Sequence, residues 1–209
     1  MTTVGFLHTA DAHVPTFRGL VAELAPGLRD LHVVDARLLA DARERGVDSA
    51  VAERLGERLR SLADSGADLV VCTCSTLGGP AERIPVGVPV LRLDRPMAEE
   101  AVAVGGRIAV VATVASTLAP TRALLLECGA GAAEIVDAPC LDAWALFEAG
   151  DLEGYARRVA VHCRGLTADV IVLAQASMAP AAGLLADLAT PVLTSPRSAV
   201  LRAAALATG

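Results

Sequence analysis

Eight short apolar runs punctuate the chain, with amphipathic segments between them. The runs are Val4–Leu7, His32–Val34, Leu69–Cys72, Val88–Leu93, Ile108–Ala112, Ile135–Asp137, Val170–Leu173 and Pro191–Leu193. Most are unbroken Val, Ile and Leu, the pattern of strands buried on both faces of a parallel sheet. Phe17, Leu20, Val21 and Leu24 recur at i, i+3, i+4 and i+7, and Leu55, Leu59 and Leu62 do likewise in an Arg/Glu-rich stretch. Both patterns predict helices. Further helices are predicted over 97–104, 117–127, 151–165, 179–189 and 196–207. Strand and helix in alternation imply right-handed crossovers and an α/β fold, each sheet mostly parallel and flanked by helices.

The chain also resembles itself. Ala67-Asp68-Leu69-Val70-Val71-Cys72-Thr73-Cys74-Ser75-Thr76 lies 101 positions before Ala168-Asp169-Val170-Ile171-Val172-Leu173-Ala174-Gln175-Ala176-Ser177. Pro-Val-Leu follows each, at 89–91 and at 191–193, and the opening strand pairs with Ile108–Ala112 at an offset of 104. Three offsets in the same order point to a duplicated lobe, 1–97 and 98–209, with the last helix a candidate to cross over. Two like lobes about a pseudo-twofold axis are expected to set equivalent strand ends face to face across a cleft.

Composition narrows the chemistry. Among 209 residues there is no Lys, no Asn and a single Gln, Gln175. A GC-rich coding bias accounts for much of this, but the exclusions hold whatever the cause. Without Lys there is no pyridoxal-phosphate Schiff base, no lysine aldolase chemistry and no Walker A loop. The net charge of −6 and the absence of a basic stripe argue against nucleic acid as a partner. Hydrophobic residues reach 54%, yet the charge-free stretch Val170–Ala186 is broken by Gln175, Pro180 and Gly183 and reads as strand plus helix, not a membrane span. The first residues carry no basic region and lead straight into a strand, which points to a cytoplasmic protein. Five cysteines, an odd number, do not suggest a disulfide framework in that compartment.

In parallel sheets ligands bind beyond the carboxyl ends of the strands. There the chain places His8, Thr9, Asp11 and His13; Thr73, Cys74, Ser75, Thr76, Gly78 and Gly79; Asp94 and Arg95; Thr113, Ser116 and Thr117; Gln175 and Ser177; Thr194 and Ser195. Hydroxyls and helix N-termini of this kind suit a small carboxylate, although Ser and Thr also serve as ordinary helix caps. Arg95 is either a partner for a distal carboxylate or an exposed surface arginine. Cys74 is the sharpest residue. A thiol at a strand end facing helix N-termini is expected to have its pKa lowered from ~8.5 towards neutrality, and a thiolate there can exchange a proton with carbon. Cys128, Cys140 and Cys163 read as core fillers, and His32 and His162 as structural. Trp144, Tyr155 and Phe17 are the few rings available to an aryl ligand.

These residues resemble the aspartate/glutamate racemase superfamily over nearly the whole chain. The resemblance rests on the duplicated lobes, on Leu69-Val70-Val71-Cys72-Thr73-Cys74-Ser75-Thr76, and on Val110-Val111-Ala112-Thr113 with Ser116-Thr117. It implies a cofactor-independent enzyme without a metal, a homodimer, and two thiols on opposite faces of a substrate α-carbon. It sets Cys74 at the first catalytic cysteine and the Thr113 segment at the loop that holds the substrate carboxylate; Thr9, Ser75 and Thr76 would join in binding. The chain departs from the family pattern twice. The family's Gly-Cys-Thr is matched by Ala174-Gln175-Ala176, and its first-strand Asp-Ser by His8-Thr9. An amide is neither acid nor base in this range. Three readings stay open: a racemase or isomerase in which Cys74 moves one proton and His8 or water serves the other face; a single-cysteine decarboxylase of a malonate-like acid, with Gln175 holding a carboxylate or enolate oxygen; and a non-catalytic carboxylate-binding protein.

Overall fold

A computed structural model describes residues 2–208. It contains β1 (Thr3–His8), α1 (His13–Leu24), β2 (Arg29–Val34), α2 (Ala36–Arg45), α3 (Ser49–Asp64), β3 (Leu69–Cys72), α4 (Ser75–Glu82), β4 (Val90–Arg92), α5 (Arg95–Val104), β5 (Arg107–Ala112), α6 (Leu118–Glu127), β6 (Glu134–Pro139), α7 (Trp144–Glu148), α8 (Leu152–Arg164), β7 (Val170–Leu173), α9 (Ala179–Gly183), β8 (Val192–Thr194) and α10 (Ser195–Thr208). Two compact units result, Met1–Asp94 with Pro196–Gly209, and Arg95–Ser195.

Each unit carries a four-stranded sheet, in the orders β2-β1-β3-β4 and β6-β5-β7-β8, and every pairing is parallel. The central strands β1, β3 and β7 are buried throughout, and β5 is buried after its first residue. Their unbroken aliphatic runs follow from this, since both faces are covered. In the second unit the alternation is visible in the core. Val111, Ile171 and Leu173 pack on one side with Tyr155 and Val159, while Ile108, Val110, Val170 and Val172 pack on the other with Leu124 and Leu125. The edge strands β2, β4, β6 and β8 are only partly buried.

The repeat extends to individual backbone bonds. Thr73 N–H donates to the Leu7 carbonyl at 3.0 Å, and Ala174 N–H to that of Val111 at 2.9 Å. Asp68 and Asp169 each accept from a backbone N–H at the start of the neighbouring strand, Thr3 at 2.8 Å and Arg107 at 2.7 Å. Cys74 and Gln175 are equivalent: both sit one residue past the Thr73 and Ala174 bonds, and both cap the helical turn that follows in extended backbone.

Helix starts follow ordinary chemistry. Asp48 caps α3 through Val51 N–H at 2.8 Å, and Asp151 caps α8 through Gly154 N–H at 2.8 Å. Arg164 in the last turn of α8 complements its negative end. Against the sequence reading, α2, α4 and α7 are additional, and the helix expected over 179–189 stops at Gly183. The eight-residue α4 holds Gly78-Gly79-Pro80, a triplet that ordinarily breaks helices. Here packing decides: a Cβ on Gly78 would lie 2.8 Å from the Cβ of Arg92, so glycine is what lets α4 lie against β4.

Candidate functional site

In the first unit β1 and β3 end side by side, and their ends carry His8, Thr9, Thr73 and Cys74. Cys74 is 7% exposed and caps α4, its carbonyl accepting from Leu77 and Gly78 N–H at 3.1 and 2.8 Å. Burial pushes its thiol up, and the Asp94 carboxylate adds to the rise. The N–H groups of Leu77 and Thr76 and the hydroxyl of Thr9 pull the other way without prevailing. The expected near-neutral thiol is therefore not what the fold provides: dehydration outweighs the helix terminus. Cys72 is deeper still, its thiol raised first by burial, and it donates only weakly to the Cys74 carbonyl at 3.9 Å. Ser75 is buried in the first turn of α4 and Thr76 is half-buried beside it.

His8 is wholly buried, and both ring nitrogens are committed. Nδ1 lies 2.9 Å from Thr73 Oγ1, and Nε2 lies 2.9 Å from His32 Nδ1. His32 Nε2 in turn lies 2.7 Å from Asp30 Oδ2. Both the Thr73 N–H and the Thr73 hydroxyl donate to the Leu7 carbonyl, each at 3.0 Å, which leaves Thr73 Oγ1 as an acceptor for His8 Nδ1–H. The contacts run in one line from Thr73 through His8 and His32 to the Asp30 carboxylate. Burial, followed by His32 and His13, pushes the His8 pKa down from 6.5 to about 3, so the ring is neutral at ordinary pH. His32, read from sequence as structural, is thus a member of this line.

Arg92 and Asp94, at the end of β4, form a buried bidentate pair, Nε–Oδ1 2.7 Å and Nη2–Oδ2 3.1 Å. Asp94 was among the strand-end residues; Arg92 had no sequence signal apart from its place in an apolar run.

In the second unit the loop after β5 meets the end of β7 through Gln175. Its Oε1 accepts from Thr113 N–H at 2.6 Å, Val114 N–H at 3.0 Å and the Thr113 hydroxyl at 3.1 Å. Thr113 Oγ1 is also 3.0 Å from the Tyr155 hydroxyl, itself 2.9 Å from Ser177 Oγ. Thr117 is buried, its carbonyl accepting from the Thr121 hydroxyl at 2.9 Å. Ser116 Oγ is buried with no hydrogen-bond partner among the described residues. Arg95 Nη2 lies 3.4 Å from Glu127 Oε2. Phe17 and Tyr155 are core residues. All five cysteines are free thiols. Among the described residues no cluster of three His, Cys, Asp or Glu is set to hold a metal, and no helix is long and apolar enough to cross a membrane.

Two parallel α/β units with matching topology, each ending in a polar group beyond its central strands, define the class of protein. The model of the Asp/Glu/hydantoin racemase family matches residues 9–203, and the chain belongs to that family. The fold is similar to that of Picrophilus torridus aspartate racemase, at 12% identity and a TM-score of 0.76 over 98% of this chain and 95% of that one. Klebsiella pneumoniae allantoin racemase follows the same fold at 22% identity and a TM-score of 0.68, over 100% of this chain and 88% of that one. So does a glycine-to-cysteine mutant of arylmalonate decarboxylase in its sulfate-associated form, at 19% identity and a TM-score of 0.56, over 99% and 94% of the two chains. No curated protein matches in sequence.

Proposed function

We propose that the chain is a cofactor-independent racemase or isomerase that moves a proton at a carbon next to a carboxylate, with Cys74 as the acid/base thiol. The carrying observation is the placement of Cys74 as the cap of α4, directly beyond the end of β3, where Leu77, Thr9 and Thr76 favour its thiolate against the pull of burial. A thiol raised by burial is a competent proton donor, and the same three groups stabilise the thiolate once the proton has left. Thr9, Ser75, Thr76, Ser116, Thr117 and Arg95 are the candidate contacts for the substrate. Thr113 acts by holding Gln175. His8 has no free nitrogen, so its role is to fix Thr73, the neighbour of Cys74, through the line to Asp30. In this reading Gln175 stands where the family's second thiol would be. Family membership supports a homodimer, and the sequence supports a cytoplasmic location.

A second reading, decarboxylation of a malonate-like acid, is favoured by one observation: the group equivalent to Cys74 is an amide, which can hold an oxygen but cannot return a proton. Deuterium separates the two. The protein is incubated in deuterium oxide with α-amino acids, hydantoins, maleate and arylmalonates, and followed by NMR. Deuterium at the α-carbon without loss of substrate supports the isomerase. Loss of carbon dioxide supports the decarboxylase. Binding without turnover across the panel sinks both and leaves a carboxylate-binding protein.

A further inference from the structure

We infer that Gln175 is a specificity-determining residue, a fixed amide donor that selects ligands bearing an acceptor oxygen on its side and rejects an α-ammonium group. The inference deepens the proposed function and rests on it. The amide has one orientation only. Its Oε1 faces two backbone N–H groups and a hydroxyl, at 2.6, 3.0 and 3.1 Å. Turning the amide over would press its NH2 against the Thr113 and Val114 N–H groups, donor against donor. The oxygen is therefore spent on the loop, and no acceptor among the described residues takes either proton of Nε2. Gln175 is half-buried, so those two protons meet a ligand or water. An NH2 group binds a carboxylate, an enolate oxygen or a ring carbonyl; it repels the three N–H donors of an ammonium. The favoured substrate class is a diacid, or an acid with a second carbonyl, rather than an α-amino acid.

The composition provides a direct probe. Gln175 holds the only side-chain carboxamide in the chain, so the ¹⁵N–¹H correlation spectrum contains one NH2 pair. The full-length protein is titrated with succinate, malonate and L-alanine. A diacid is expected to move that pair saturably, in step with backbone resonances, while L-alanine leaves it in place. Gln175→Glu is expected to weaken diacid binding by about tenfold or more, the worth of a hydrogen bond to a charged group. Its carboxylate still suits the Thr113 and Val114 N–H groups, so the loop is kept while the donor is lost. If backbone resonances saturate with a diacid and the pair stays still, the inference is overturned and carboxylate binding stands. An equal response to L-alanine also overturns it. If no resonance moves with either diacid, the inference fails together with carboxylate recognition.

Discussion

The ends of β3 and β7 share a backbone and differ in the residue that caps the turn beyond them. Each neighbouring strand end accepts the same N–H bond, each next residue caps a helical turn, yet one cap is the thiol of Cys74 and the other the amide of Gln175. The tie between strand ends has been rebuilt as well. In the first unit His8 reaches across to Thr73, with His32 and Asp30 behind it. In the second, where Ala112 and Ala174 have no polar side chain, Gln175 itself reaches to Thr113. The lesson is that topology fixes where a polar end falls, and side chains decide whether that end moves protons or holds oxygen.

Replacing the groups in turn tests this contrast. The largest effect is expected for Cys74→Ala. If the thiol is the acid/base group, α-proton exchange falls by about 10²–10⁴-fold in the deuterium assay, and unchanged exchange removes Cys74 from the chemistry. Next is Arg92→Ala, which strands the buried Asp94 carboxylate. Urea denaturation should show a loss of about 3–5 kcal/mol, whereas Arg157→Ala, in an exposed pair with Glu153, should cost under ~1 kcal/mol. Acid distinguishes the two ties. Below pH 6.5 the unfolded chain takes up a proton at His8 that the fold refuses until about pH 3. Stability is therefore whole above pH 6.5 and falls as pH drops through that window, by at most ~1.4 kcal/mol per pH unit, and His8→Gln should flatten the slope. Gln175→Ala leaves the Thr113 and Val114 N–H groups without their acceptor. A loss of about 1–3 kcal/mol is expected, without the acid dependence. The smallest effect belongs to Gln175→Cys, which should raise α-proton exchange if a missing thiol limits it.

Much of this scaffold was legible in the sequence because parallel strands write themselves as apolar runs. Leu69–Cys72 and Val170–Leu173 are strands over the very residues expected, and the offsets of 101 and 104 reappear as equivalent sheet positions. The fold class, two similar α/β lobes with mostly parallel sheets, follows from the same pattern. What sequence periodicity could not supply was tertiary override: α4 forms in spite of Gly78-Gly79-Pro80 because Arg92 packs against it. The line behind His8 was hidden for a different reason. Asp30 and His32 are two apart on one face of an edge strand, a visible clue, but only the pairing of Phe6 with His32 brings them beside His8. The rise of the Cys74 thiol was missed because burial cannot be counted from a strand end alone, and the partner of Gln175 because an amide oxygen leaves no pattern.

One consequence follows from α10. Pro196 onwards belongs with Met1–Asp94, tied there by Arg197 Nη1 to Glu23 Oε1 at 2.9 Å, across 174 positions of chain. The stretch Arg95–Ser195, by contrast, is continuous. On the ribosome the unit begun first is therefore finished last, and its nascent sheet waits with one helix missing while the second unit is made and can already close. A chain cut short before Pro196 therefore lacks a helix of the first unit alone.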